Sequence, residues 1–158
     1  MEIESLAKAL EREHHEIDEG ITAFTASPND RQSLTRAIRA LRRHIYLEEE
    51  FLFPMLCQVQ PRLAAPALVM LREHSEIWAI LELLEHAPDT SAGLALSKRL
   101  TSHLLHHNLK EEGVLYPRAD DALPAAAAGR LRESLGSGDI PKGWVCLKAR
   151  PAPSDAGR

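Results

Sequence analysis

Four short stretches concentrate the residues able to do chemistry: EHHEI at 13–17, HIYLEEEFLFP at 44–54, EHSEI at 73–77 and HNLKEEGVLYP at 107–117. The last two repeat the first two roughly 60 residues further on. Residues four apart share one face of a helix, so His44 lies beside Glu48 and His107 beside Glu111. Both pairs fall on an apolar stripe. Glu48 lies seven residues after Leu41 and four before Leu52, and Glu111 lies shortly before Val114 and Leu115. His14 falls between Leu10 and Ile17, and His74 between Leu71 and Ile77. Glu49, Glu50 and Glu112 are expected to point progressively outward. An ionised carboxylate in such an interior is costly unless a partner compensates it, and two converging carboxylates are worse. A pair of metal ions removes the difficulty, because carboxylates meet positive charge and neutral imidazoles complete the coordination. A single histidine or a single HxxxE pair would be explained by core hydrogen bonding or a surface pair. Two such pairs plus two further histidines, symmetrically placed, are better explained by metal.

Four helices must position these residues. Breakers at 27–30, at Pro61 and Pro66, at 87–93 and at 120–124 cut out four long segments with apolar residues three and four apart. The first carries Ile3, Leu6, Leu10, Ile17, Ile21 and Phe24; the second, opened by Asp30, carries Leu34, Ile38, Leu41, Ile45 and Leu52. Pro54 is expected to end or kink the second near its last turn. The third carries Leu68, Leu71, Ile77, Leu81 and Leu84; the fourth carries Leu94, Leu100, Leu104, Val114 and Leu115 and closes at Pro117. Strand signals are nearly absent. The pattern predicts an all-α, antiparallel up-down-up-down four-helix bundle over residues 1–120. Residues 121–158 read as a short fifth helix at 124–135 and an irregular C-terminal tail, in which GWVCLK packs as an extended arm and the chain end is disordered.

These motifs, in this order and one per helix, resemble the hemerythrin-like, or HHE cation-binding, domains over about residues 5–120. The resemblance implies a di-iron centre, oxo- or hydroxo-bridged, that meets dioxygen, peroxide or nitric oxide. It assigns His14, His44, His74 and His107 as terminal imidazole ligands and Glu48 and Glu111 as bridges. The oxygen carriers of the family have a further histidine where this chain has Trp78, and an aspartate one position beyond Glu111. Six protein ligands leave more open positions and two nearly equivalent irons, which suits redox turnover better than reversible oxygen carriage. Trp78, on the face of His74, reads as a cover over the vacant position or as core filling. Tyr116 could ligate iron, donate a hydrogen bond to bound oxygen species, or pack like its counterpart Phe53. His103, four residues before His107, could substitute as a ligand or support one. His15 and His106 lie about 100° off the stripe and are expected to be partly solvated.

Composition narrows the remaining choices. With 158 residues and 44% hydrophobic content the chain suits one domain, and 19 basic against 23 acidic residues give a net charge of −4 that disfavours nucleic acid. No segment reads as a signal peptide or membrane span, which points to a cytoplasmic protein without membrane partners. Cys57 and Cys146 read as free thiols. The leading expectation is a di-iron protein reacting with hydrogen peroxide, catalase- or peroxidase-like, with nitric oxide as a co-substrate. The alternative is a dioxygen or iron sensor or carrier without turnover, whose tail, with an exposed Trp144, contacts a protein partner or the chain itself. A bundle that stores metal or holds zinc is the third reading.

Overall fold

A computed structural model describes residues 1–151. Among them there is no strand, and the long helices are α1 (Leu6–Ala26), α2 (Arg31–Leu47), α4 (Ala64–Glu85) and α5 (Thr90–Lys110), with the short α3 (Phe53–Val59) continuing α2. The starts of three of them follow from local chemistry. Ser5, Asp30 and Asp89 each accept a backbone N–H three residues on, at 3.3, 3.0 and 2.8 Å, satisfying amides that a helix leaves open. Asp120, 114 residues beyond Leu6 in sequence, accepts Leu6 N–H at 2.7 Å and Ala7 N–H at 3.1 Å, adding negative charge where the α1 dipole favours it.

Side-chain pairings fix the helix directions. Glu13 meets His44 while Gly20 lies against Ala37, so α1 and α2 run antiparallel. Glu73 meets His107 and Glu76 meets His103 across α4 and α5. Glu112 meets His14 and Gly93 meets Phe24 across α5 and α1. Arg42 meets Trp78 and Glu49 meets His74 across the remaining pair. The result is an up-down-up-down ring. Its core is split into two apolar clusters. Leu6, Leu10, Leu47, Met70 and Leu115 belong to one. Ile17, Ile21, Ile45, Ile77 and Leu104 belong to the other. α1, α2 and α4 contribute to both, α5 contributes to the second while the turn after it supplies Leu115 to the first, and the histidines fall at the boundary.

Two π-helical turns interrupt the pattern, Glu48–Leu52 and Glu111–Leu115. Each is closed by a bond five residues long, Phe53 N–H to Glu48 O and Tyr116 N–H to Glu111 O. A proline follows at once in both. Its ring would collide with the carbonyl four residues back in an α-helix, and widening the turn relieves the collision. The second helix therefore does not stop at Pro54 but passes through it to Val59. The same widening corrects the predicted stripe: Leu115 is buried, whereas Val114 is turned out and 46% exposed. Ile3 and Leu68 are likewise exposed, Ile3 because α1 begins only at Leu6.

Beyond the bundle come α6 (Ala119–Ala122) and α7 (Ala125–Ser137), the latter packing its Leu131 and Leu135 into the first apolar cluster. A turn at Pro141 to Trp144, closed by Trp144 N–H to Pro141 O at 3.0 Å, uses Gly143 at φ 78°. The arm that follows lies back on the bundle. Cys146 is fully buried, and Trp144 is not the free side chain expected: it packs edge-on against Tyr46 and Trp78 and donates to Glu50 at 2.8 Å. The expected disorder of the chain end concerns residues outside the described ones. Among the described residues no helix is long and apolar enough to cross a membrane.

Candidate metal centre

At the boundary between the two apolar clusters, all four long helices deliver a histidine: His14, His44, His74 and His107, none more than 4% exposed. Glu48 and Glu111, each the first residue of a π-turn, are 0% exposed and stand between them. Nε2 of His44 lies 3.0 Å from Glu48, and Nε2 of His107 and His14 lie 3.1 and 3.3 Å from Glu111. His74 Nε2 faces both carboxylates at 3.9 and 3.7 Å. Potential ligand atoms of His14, His44, Glu48 and Glu111 lie within 4.8 Å of one another, as do those of His74, His107 and Glu111. Glu111 belongs to both groups.

The π-turn also brings in Tyr116. In an α-helix a residue five beyond Glu111 would be turned about 140° away; the wider turn returns it to the same face. Its hydroxyl lies 2.9 Å from Nε2 of both His14 and His44, and 3.3 and 3.4 Å from Glu111 and Glu48. The counterpart Phe53 instead stacks on His74, centroids 5.8 Å apart. The two halves of the cluster are therefore unlike, with a phenol beside one histidine pair and a phenyl ring beside the other. That departs from the near-equivalence expected of the two positions.

A second layer of carboxylates surrounds the first. Nδ1 of His44 donates to Glu13 at 3.1 Å, Nδ1 of His14 to Glu112 at 3.1 Å, Nδ1 of His74 to Glu49 at 2.7 Å and Nδ1 of His107 to Glu73 at 3.0 Å. An ionised carboxylate only accepts, so each Nδ1 carries a proton and each ring turns its Nε2 inward. Three of these carboxylates are themselves held. Arg43 lies 3.6 Å from Glu13, Lys110 pairs closely with Glu73, and Leu147 N–H donates to Glu49 at 2.7 Å. Glu49 and Glu112 thus do not point outward as the helical wheel suggests; only Glu50 faces solvent. Sequence reasoning missed this layer. Its trace was present, since Glu13 and Glu73 immediately precede the histidines of the two EH motifs, and Glu49 and Glu112 follow the two central glutamates.

The remaining candidates lie elsewhere. His103 is about one-third exposed and faces Glu76 at 3.6 Å. Trp78 is buried beneath the Arg42 guanidinium, 4.3 Å from the ring centroid, and beside Trp144. Among the described residues neither makes a hydrogen bond or ion pair with the central cluster. His15 and His106 are exposed.

The electrostatics fit a site that lacks positive charge. Burial and the adjacent Glu111 push the Glu48 carboxyl well above its usual range. Burial would raise Glu111 as well, but His107 and hydrogen bonds from Glu48 and His14 hold it well below. Burial opposes charging His74 and His107, yet the surrounding carboxylates win, raising both rings and His107 to about 10. Burial, then Glu111 and Glu48, push the Tyr116 phenol well above its normal value, so it remains a donor. Protons here do what cations could do. Three buried polar atoms nevertheless find no hydrogen-bond partner: Glu48 Oε1, Glu111 Oε2 and His74 Nε2. Glu48 Oε1 lies 3.0 Å from His44 Nε2 without a hydrogen bond to it. Converging imidazole nitrogens, once those protons leave, and carboxylate oxygens without hydrogen bonds fit first-row metal ions.

No curated protein and no solved structure matches the chain. The family model described as the hemerythrin HHE cation binding domain matches residues 5–119, most of its length and all of the cluster. The chain belongs to the hemerythrin HHE cation-binding family.

Proposed function

We propose that the cluster holds two iron ions and that the protein turns over hydrogen peroxide in a catalase- or peroxidase-like reaction, with nitric oxide as a further substrate. The observation that carries this reading is the pair of fully buried carboxylates, each with an oxygen lacking any hydrogen bond, facing four imidazoles whose other nitrogens are occupied. His14, His44, Glu48 and Glu111 would hold one ion, and His74, His107 and Glu111 the other, with Glu48 close enough to His74 to serve both. Bound there, two irons would supply the electrons that peroxide reduction and oxidation exchange.

The chain's own contribution is positional. The outer glutamates fix ring orientation and tautomer, and the apolar clusters on either side keep bulk water away. Tyr116 keeps its hydroxyl proton and presents it at the His14 and His44 side, where it can hydrogen-bond an oxygen of the substrate. Only a small molecule fits a centre whose groups are all buried. Iron-loaded protein should release oxygen from hydrogen peroxide, read with an oxygen electrode, or oxidise an added reductant. Loaded protein that does neither would remove the enzymatic reading.

One observation favours the second reading, a sensor without turnover. The arm's Leu147 amide holds Glu49, which holds His74, so the centre and the arm share a hydrogen-bonded chain. Under that reading hydrogen exchange at Leu147 changes between metal-free and iron-loaded protein; unchanged exchange would remove it.

A further inference from the structure

Away from the central cluster, α2, the end of α4 and the segment at 138–140 enclose a pocket of about 840 Å³. Its polar wall carries Arg31, Arg39, Arg42 and Arg43, and its apolar wall Leu34, Ile38, Leu84 and Ile140. The opposing carboxylates among its lining residues are Glu85 and Asp139. That local excess of positive charge stands out on a chain of net charge −4. Two of the arginines are not ordinary solvated side chains. Arg42 and Arg43 are each 16% exposed, and both have a buried Nε without a hydrogen-bond partner. Arg42 is held by Glu85 at 3.1 Å and lies against the Trp78 ring; Arg43 is held by Glu13 and by Gly138 O at 3.4 Å. Their stems are therefore fixed before any ligand arrives, while donor capacity remains unspent.

We propose that this pocket binds an organic anion, a phosphate monoester or carboxylate carrying an apolar body. Guanidinium groups pair with the oxygens of such a head group through parallel hydrogen bonds, and prior ordering of the arginines lowers the entropy lost on binding. Leu34, Ile38, Leu84 and Ile140 receive the apolar body, a surface that inorganic phosphate cannot use. Arg43 also contacts Glu13, the carboxylate behind His44, so the anion would sit a short chain of contacts from the central cluster. The inference goes beyond the metal reading and does not depend on it.

The test uses the whole metal-free chain, labelled with ¹⁵N, and follows the arginine Nε–H resonances during separate titrations with phenyl phosphate, benzoate and inorganic phosphate. Saturable shifts at Arg42 and Arg43 are expected with phenyl phosphate or benzoate, the tighter of the two identifying the head group, and at least about tenfold weaker binding with inorganic phosphate. Arg39→Glu, an exposed position, and Ile140→Ser should each weaken the organic anion by about tenfold or more while leaving the melting temperature in place. Shifts that never saturate, equal affinity for inorganic phosphate, or unchanged binding by both variants would overturn the proposal.

Discussion

The outer glutamates separate two demands on each histidine: one nitrogen is tied, and the other is left to face the centre. Replacing Glu49 or Glu13 with Gln keeps shape but offers an amide whose carbonyl is a weaker acceptor and whose NH₂ group can oppose the ring N–H. Metal affinity should fall by about 10–100-fold while the fold persists, read by competition with a chromophoric chelator. Tyr116→Phe makes the two halves of the cluster alike. It should retain both metals and lower peroxide turnover by about tenfold or more, the share expected of one positioned hydrogen-bond donor; unchanged turnover would confine Tyr116 to packing. The six central residues were legible from the sequence because spacing alone places them on one stripe. Tyr116 was harder. Helical geometry puts it on the wrong face, and only the widened turn before Pro117 brings its hydroxyl to His14 and His44.

The long helices were legible because their stripes are continuous, and the cap read at Asp30 is the one the structure has. The π-turns were not, because apolar periodicity assumes a constant number of residues per turn. Pro54 and Pro117 held the clue, each following its central glutamate at the same distance. Close packing of α1 on α2 rests on Gly20, where an added Cβ would lie 2.9 Å from Ala37 Cβ and 3.2 Å from Ser33 O. The second atom is backbone and cannot step aside alone. Gly20→Ala should lower the melting temperature by several degrees, the loss from overpacking, on the order of 1–3 kcal/mol, exceeding the gain in helix propensity. The arm makes a further check possible. Cys146 is fully buried and its thiol is pushed up to about 12, first by burial, whereas Cys57 is partly exposed. A disulfide reagent should modify one thiol quickly and the second only as the arm undocks.

Across the whole molecule, the proposed metal and the observed protons would compete for one charge deficit. His107 is raised to about 10 from an ordinary 6.5, so in the metal-free protein its protonation stabilises the fold fully below pH 6.5 and progressively less as pH rises through about 10. Metal loading runs the opposite way. The Nε2 proton must leave before the ring can coordinate, so affinity should rise with pH over that window, and loading near neutrality should release protons into weakly buffered solution. The two apolar clusters explain how such a centre persists: the fold is fastened above and below the polar layer, so the layer can exchange protons for metal without loss of the core. The central claim is the metal count itself. Anaerobic reconstitution of the wild type and of Glu48→Ala with ferrous iron, followed by removal of loose metal and iron analysis, should give two irons per wild-type chain and a marked loss in the variant. A wild-type chain that retains no iron, or a variant that retains two, would contradict the account.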